Sequence, residues 1–144
     1  MGDCALCGPL YTPTLREGRT WAITLNRNQN LLGKLMVVLA RHEESVASLS
    51  DAEWTELRDH IRWATERLER AFAPDHFNYA FLQNQDRHVH LHVIPRYAST
   101  RSVAGVEFDD PAFPRHYAVP GLSRMADAAL TAAIAAALTG GTQA

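Results

Sequence analysis

Three histidines stand at alternate positions in the run His88-Val89-His90-Leu91-His92, and their type and spacing are suited to chemistry. Imidazole has an unperturbed pKa of roughly 6.5, so near neutral pH it can act as a nucleophile, a proton donor or a metal ligand. Residues two apart on a strand share a face, so the pattern predicts the three rings on one face of a sheet and the aliphatic side chains on the other. Surface histidines without a role are disfavoured. A strand face that carries three imidazoles packs poorly, and burying the rings without partners would be costly.

The pair Cys4 and Cys7 is the second chemical signal, because a two-residue spacing between cysteines is suited to zinc. A redox-active pair is the competing interpretation, but such a pair normally opens a helix after a strand, and no strand precedes Cys4. Two cysteines without a role are the third interpretation. Zinc needs four ligands, and His42 and His88 are the best candidates for the other two.

The composition is that of an ordinary globular protein. A length of 144 residues predicts one domain, with 47% hydrophobic and 21% charged residues. The formal net charge of −2 and the lack of a basic arm exclude a nucleic-acid partner of the usual kind. No segment has the roughly 18 apolar residues of a membrane span, and the first residues do not form a secretory signal. We therefore expect no membrane association and a cytoplasmic protein with reduced cysteines.

The first half of the sequence predicts two strands and a long helix. Strand-type residues occupy Trp21–Leu25 and Leu35–Leu39. Ser50 and Glu53 form a capping box that opens a helix with one apolar stripe, which ends at Pro74.

The second half predicts two strands and one further helix. The strands cover residues 77–82 and the histidine run, residues 99–120 are expected to be irregular, and a second, alanine-rich helix covers residues 123–138. Strands and helices in this order indicate an α+β fold built on an antiparallel sheet, with a long helix and a C-terminal helix.

The run of residues 88–97 resembles the signature of the histidine-triad (HIT) family, in which histidines alternate with aliphatic residues. The likeness extends to Asn26 after the first strand, Gly33 before the second, and Arg41-His42 after it. The likeness spans about residues 4–97. Within the family, the sequence is most similar to the small bacterial branch of dinucleoside-polyphosphate hydrolases, which often carries an N-terminal Cys-x-x-Cys.

The resemblance implies a mechanism. His90 would be the nucleophile that attacks the α-phosphorus of a nucleotide conjugate, and water or another acceptor would resolve the covalent nucleotidyl-histidine. The carbonyl of His88 would hold the ring of His90, while His92 would stabilise charge on a phosphate or leaving-group oxygen. The chain would then be a hydrolase or nucleotidyltransferase. Its substrates would be dinucleoside polyphosphates first, then nucleoside phosphoramidates or nucleotidyl sulfates.

The resemblance also implies nucleotide contacts. Asn26 matches the ribose-binding position, and Gln83, Asn84 and Gln85 fall where the family places donors for the phosphates. Arg96 is expected to be solvated or, alternatively, to reach a phosphate. The sequence departs from the family at Leu32-Gly33-Lys34, where Pro-Gly-His is common, so a lysine would lie near the polyphosphate as a point charge.

The resemblance further implies a cofactor and a partner. Galactose-1-phosphate uridylyltransferases, which are more distantly related, use two cysteines, an upstream histidine and the first histidine of the motif, and this order corresponds to Cys4, Cys7, His42 and His88. The zinc would be structural and would fix the backbone that orients the nucleophile. We expect a homodimer, with a HIT-like domain over residues 1–98 and the remaining residues 99–144 packed on it.

Two other functions stay open. A nucleotide-binding sensor or interaction protein of the same fold would not need the intact histidines. A thiol–disulfide protein would use Cys4 and Cys7 and would ignore His90.

Overall fold

The computed structural model describes residues 4–10, 13–117 and 124–140, and its centre is an antiparallel sheet of five strands. The elements in chain order are β1 (Thr14–Glu17), β2 (Trp21–Leu25), β3 (Leu35–Leu39), α1 (Asp51–Phe72), β4 (His76–Ala80), β5 (His90–Arg96), β6 (Arg101–Val103), β7 (Val106–Phe108) and α2 (Ala128–Thr139). The strand order is β1-β2-β3-β5-β4, and β6 and β7 form a separate hairpin. The predicted α+β class is confirmed.

One face of the sheet forms the core. Alternate residues of the three central strands are fully buried together with the apolar stripe of α1: Trp21, Ile23, Leu35, Val37, Leu91, Val93, Leu57, Ala64 and Leu68. On the other face the register places Thr24, Met36 and His92 side by side across three strands. The period of two therefore separates a core face from a face that carries histidines.

Local capping signals set the bounds of α1. The Ser50 hydroxyl accepts from the Glu53 amide at 3.1 Å, and the Glu53 carboxylate accepts from the Ser50 amide at 2.8 Å, which confirms the predicted capping box. The helix ends where Ala73 adopts a left-handed conformation with φ of 49°, directly before Pro74.

No helix among the described residues is long and apolar enough to cross a bilayer.

Glu56 on α1 holds the turn between β1 and β2. Its Oε2 accepts from the amides of Thr20 and Trp21 at 3.1 and 3.0 Å and lies 3.0 Å from His60 Nε2. Burial raises the pKa of Glu56, but these donors outweigh burial and lower the pKa to about 2. A Cβ at Gly18 would collide with this carboxylate and with His60 Nε2, so a larger residue would displace both side chains.

The structure differs from the sequence-based expectation after β5. Residues 99–120 were expected to be irregular, but β6 and β7 lie within them, joined by Ala104 and Gly105 at φ of 53° and 79°. The helix expected from residue 123 begins at Ala128, because Asp127 caps it by accepting from the Leu130 amide at 2.8 Å. Residues 118–123 lie outside the described residues.

A buried ion pair attaches the segment after β5 to the sheet. Arg96 is 1% exposed, and its Nε and Nη2 donate to the two carboxylate oxygens of Asp110 at 2.7 and 3.1 Å. A third donor, Nη1, reaches Asn78 Oδ1 at 2.8 Å. The expectation of a solvated or phosphate-binding arginine is therefore wrong, because the partners were 14 and 18 residues away in sequence.

Helix α2 packs on the same core as the sheet. Leu130, Ile134 and Leu138 are buried at four-residue steps, and Arg67 of α1 donates to the carbonyl of Leu138 at 3.0 Å. Helix α2 therefore belongs to the same hydrophobic core as the sheet and α1.

Replacing Glu56 with glutamine should lower the free energy of unfolding by about 1–3 kcal/mol at pH 7, because two backbone donors lose a charged acceptor. Since the pKa of Glu56 is lowered, its contribution to stability is complete above the ordinary carboxyl pKa of 4.5 and is lost as the pH falls towards about 2. Chemical denaturation at pH 7 and pH 2.5 measures the free energy of unfolding of both proteins. Between pH 7 and pH 2.5, Glu56→Gln should lose less stability than the wild type. Glu66→Gln, on an exposed position of α1, is the matched control and should change little.

Candidate active site and metal centre

A cavity of about 570 Å³ lies over the face of the sheet that carries the histidines. His90 and His92 lie in its wall, together with Met36 from β3 and Asn26 from the end of β2. Antiparallel pairing of Val38 with His90 and of Met36 with His92 places both imidazoles on this face. A pocket of this size suits a small organic ligand.

His90 is held in one orientation by the backbone. Its Nδ1 lies 2.7 Å from the carbonyl oxygen of His88, and a carbonyl can only accept, so Nδ1 carries the proton. In the neutral ring Nε2 then keeps its lone pair. His90 is therefore arranged to use Nε2 as a nucleophile or acceptor.

His92 lies beside His90 in a different electrostatic environment. The two ring centroids are 4.8 Å apart, in an edge-to-face arrangement. Burial, with smaller contributions from His90 and Lys34, lowers the pKa of His92 to about 4. At neutral pH the ring is uncharged, so it can stabilise developing charge as a hydrogen-bond donor but not as a cation.

Asn26 presents an unsatisfied acceptor at the cavity wall. Its backbone amide donates to the carbonyl of Lys34 at 3.0 Å, but its side-chain Oδ1 is buried and has no hydrogen-bond partner among the described residues. A buried acceptor without a partner is unfavourable, and a hydroxyl donor from a ligand would satisfy it.

The predicted amide positions Gln83, Asn84 and Gln85 all line the cavity. They are not equivalent, because Gln83 Nε2 donates to the carbonyl of Glu44 at 2.8 Å and is engaged in holding the loop. Asn84 and Gln85 are exposed in the same loop.

Lys34 is bonded to a neighbouring side chain: its Nζ donates to Asn30 Oδ1 at 2.8 Å, and burial lowers its pKa.

Cys4, Cys7, His42 and His88 converge in a cluster that could hold a metal ion. One ligand atom of each lies within 4.8 Å of the others. His88 Nδ1 is 3.3 Å from Cys4 Sγ, 3.4 Å from Cys7 Sγ and 3.3 Å from His42 Nδ1. Cys7 Sγ is 3.3 Å from His42 Nδ1. Three elements distant in sequence thus supply four donor atoms at one point.

The surroundings of the cluster favour its ligand form. His88 Nε2 lies 2.7 Å from the carbonyl oxygen of Leu39, so the proton is on Nε2 and the Nδ1 lone pair faces the cluster. Burial raises the pKa of Cys4, but hydrogen bonding, led by that from Cys7, outweighs burial and lowers the pKa to about 6. A thiolate, the form that binds metals, is therefore accessible near neutral pH.

His88 connects the cluster with the cavity. Its ring belongs to the cluster, and its carbonyl orients His90. The expectation that all three rings would share one face is wrong for His88, because it precedes β5 and its ring bonds Leu39 instead of lining the cavity.

No protein-family model matches the sequence, and no curated protein matches it. Solved structures do match. A histidine triad protein from Marinobacter aquaeolei VT8 is 22% identical with a TM-score of 0.72, over 90% of this chain and 87% of that one. A histidine triad (HIT) protein from Sinorhizobium meliloti 1021 is 18% identical with a TM-score of 0.73, over 90% and 88%. The chain has the histidine-triad fold.

A third HIT structure extends the comparison to archaea. It is that of a hypothetical histidine triad nucleotide-binding protein from Sulfolobus tokodaii strain7, 14% identical with a TM-score of 0.69, over 91% of this chain and 83% of that one. The resemblance inferred from the histidine run is confirmed at the level of the fold.

The cavity wall also contains apolar residues that the sequence did not predict. Leu6 and Leu10 from the N-terminal segment and Met125 from the segment before α2 lie in its wall. Nothing in their spacing marks them, because each reaches the cavity through loop geometry rather than through the period of a strand or helix.

The protein should be isolated with about one transition-metal ion per chain, and Cys4→Ser combined with Cys7→Ser should release it. The melting temperature should fall by more than about 5 °C, because ion binding contributes to folding. Elemental analysis and calorimetry measure both effects. His76→Ala, an exposed histidine outside the cluster, should keep the ion. A wild type that contains no metal and is no more stable than the double variant would contradict the assignment of these four residues as metal ligands.

Proposed function

We propose that the chain binds a nucleotide conjugate in the cavity and transfers its nucleotidyl group, through His90, to water or another acceptor. The observation that supports this most directly is the 2.7 Å contact between His90 Nδ1 and the His88 carbonyl, because it leaves Nε2 unprotonated in a ligand-sized cavity. The Sulfolobus tokodaii protein of the same fold is described as nucleotide-binding, which agrees with the proposal.

The proposed reaction has two displacements at phosphorus. His90 Nε2 forms a bond to the α-phosphorus while the bond from phosphorus to the leaving group breaks, and the leaving group takes up a proton. Water then attacks the same phosphorus while the bond between phosphorus and Nε2 breaks. The water releases a proton to solvent, which balances the proton taken up by the leaving group, and the neutral imidazole of His90 is restored. His92, uncharged because its pKa is about 4, donates a hydrogen bond to a phosphoryl or leaving-group oxygen.

Asn26 and the loop after β4 supply the proposed binding contacts. Asn26 Oδ1, a buried acceptor without a partner among the described residues, suits a ribose hydroxyl. Asn84 and Gln85 are proposed as phosphate donors, with Gln83 positioning their loop through its bond to Glu44. The proposed substrates are dinucleoside polyphosphates, nucleoside phosphoramidates or nucleotidyl sulfates, and a panel of these conjugates with product identification separates them.

Zinc is the proposed occupant of the cluster. Bonds of about 2.3 Å to sulfur and about 2.0–2.1 Å to nitrogen place the donors of a tetrahedral zinc site roughly 3.3–3.8 Å apart. The four donor-to-donor separations of 3.3–3.4 Å fit this geometry. With four protein ligands the ion would have a structural role: it would hold the N-terminal segment against His88. The thiol–disulfide alternative is disfavoured, because it gives no role to the convergence of His42 and His88 on the two cysteines.

A homodimer is proposed through the edge strand β4. This strand pairs only with β5 in the described sheet, and Trp54, Tyr79 and Leu82 near it are large apolar residues more than 40% exposed. An unpaired edge with exposed apolar side chains favours pairing with another strand.

Light scattering after size exclusion should give twice the mass of one chain for the wild type. Tyr79→Glu should give monomers, because it places a charge in the proposed interface. Ala129→Glu, on an exposed position of α2, is the control and should remain dimeric. The opposite pattern would assign the interface to α2, and a monomeric wild type would refute the dimer.

His90→Ala should abolish the covalent nucleotidyl-enzyme and lower turnover by several orders of magnitude, because both displacements pass through Nε2. Nucleotide affinity should change little. His92→Ala should slow turnover less and leave some adduct. Rapid-quench mass spectrometry of the wild type and both variants measures the added nucleoside monophosphate.

Two results would contradict the mechanism. Hydrolysis that survives intact in His90→Ala would refute the assigned nucleophile. A wild type that binds nucleotide but forms no adduct and turns over none of the conjugates would support the sensor alternative.

A further inference from the structure

The extended segment Arg124-Met125-Ala126 lies antiparallel to the chain that follows β2. The amide of Gln29 donates to the carbonyl of Arg124 at 2.7 Å, and the amide of Ala126 donates to the carbonyl of Arg27 at 3.0 Å. These two bonds flank Met125 on both sides, and an isolated bridge pairs Met125 with the intervening residue. The backbone of Met125 is therefore fixed relative to the end of β2.

The two neighbouring side chains of this segment have different surroundings. The guanidinium of Arg124 lies over the ring of Phe108, 5.0 Å from its centroid, whereas Met125 lines the cavity. Met125 is 55% exposed and does not belong to the hydrophobic core. A large apolar side chain that lines a cavity from a fixed backbone is suited to contact a ligand, because ligand pockets are lined mainly by apolar side chains.

The chemistry of the cavity changes along its length. The reactive imidazoles lie on β5, Asn26 lies two strands away at the end of β2, and Met125 is bridged to Asn28 two residues beyond it. On the proposed function, a nucleotide with its phosphorus at His90 and its ribose at Asn26 would extend its base towards this end. The thioether of methionine is polarizable and adaptable, and it packs well against flat aromatic surfaces.

We propose that Met125 is a specificity-determining residue that contacts the heterocyclic base of the substrate. The inference rests on the proposed function, because it needs a nucleotide in the cavity. It goes further in assigning a role to the segment before α2, which the histidine motif does not include. The base contributes binding through Met125, and the sugar and phosphate contribute through other residues.

The test compares two probes that differ only in the base. Isothermal titration with adenosine 5′-monophosphate and with ribose 5-phosphate measures the affinity of the wild type, Met125→Ala, Met125→Leu and Arg124→Ala. Met125→Ala should weaken binding of the nucleotide about tenfold and leave that of ribose 5-phosphate unchanged. Met125→Leu should restore most of the loss. Arg124→Ala truncates the adjacent side chain outside the cavity and should change neither affinity.

The outcomes separate this inference from the proposed function. If the wild type binds adenosine 5′-monophosphate and Met125→Ala binds it equally well, the inference is wrong while nucleotide binding stands. Equal affinity of the wild type for both probes would also overturn it. If the wild type binds neither probe, the proposed function fails and the inference fails with it.

Discussion

The carbonyl oxygen of His88 accepts a hydrogen bond of 2.7 Å from His90 Nδ1, and this contact decides which nitrogen of His90 is free. It requires that the backbone of His88 be held firmly. That backbone is fixed from two sides, because the His88 ring is part of the cluster with Cys4 and its Nε2 is bonded to the carbonyl of Leu39. The cluster of Cys4, Cys7, His42 and His88 and the orientation of the His90 ring are thus coupled through His88.

The loop that carries His42 belongs to the same unit. Arg41, next to it, binds the carboxylate of Glu53 through two donors at 2.7 and 3.0 Å, and it lowers the pKa of that carboxyl to about 2. The amide of Val89 donates to the carbonyl of Glu43 at 2.7 Å. The first turn of α1 therefore anchors the loop after β3, and this loop in turn supports the start of β5.

The sequence predicted the parts of the site that depend on regular structure. The period of the histidine run placed His90 and His92 on one face, and the spacing of Ser50 and Glu53 located the start of α1, because both follow from backbone geometry over a few residues. The ligand set of the cluster came from a resemblance to relatives, since no local rule brings Cys4 to His88.

The remaining features depend on contacts between distant residues. Arg96 was assigned to solvent or phosphate, but it is buried because Asp110 and Asn78 supply matched acceptors. The hairpin of β6 and β7 was missed, because three-residue strands give too short a pattern. Met125 had no signal in the sequence, since its place depends on how the segment before α2 pairs with the end of β2.

The cavity draws its walls and its reactive groups from different kinds of structure. His90 and His92 stand on a central strand of the sheet, whereas Leu6, Asn84 and Met125 come from segments that carry little of the hydrophobic core. Substitutions in these walls leave the packing of the sheet intact, so they cost the fold little free energy. The ligands that the cavity accepts can therefore change during evolution while His90 and His92 keep their positions on the sheet. Such a pocket can evolve through single substitutions.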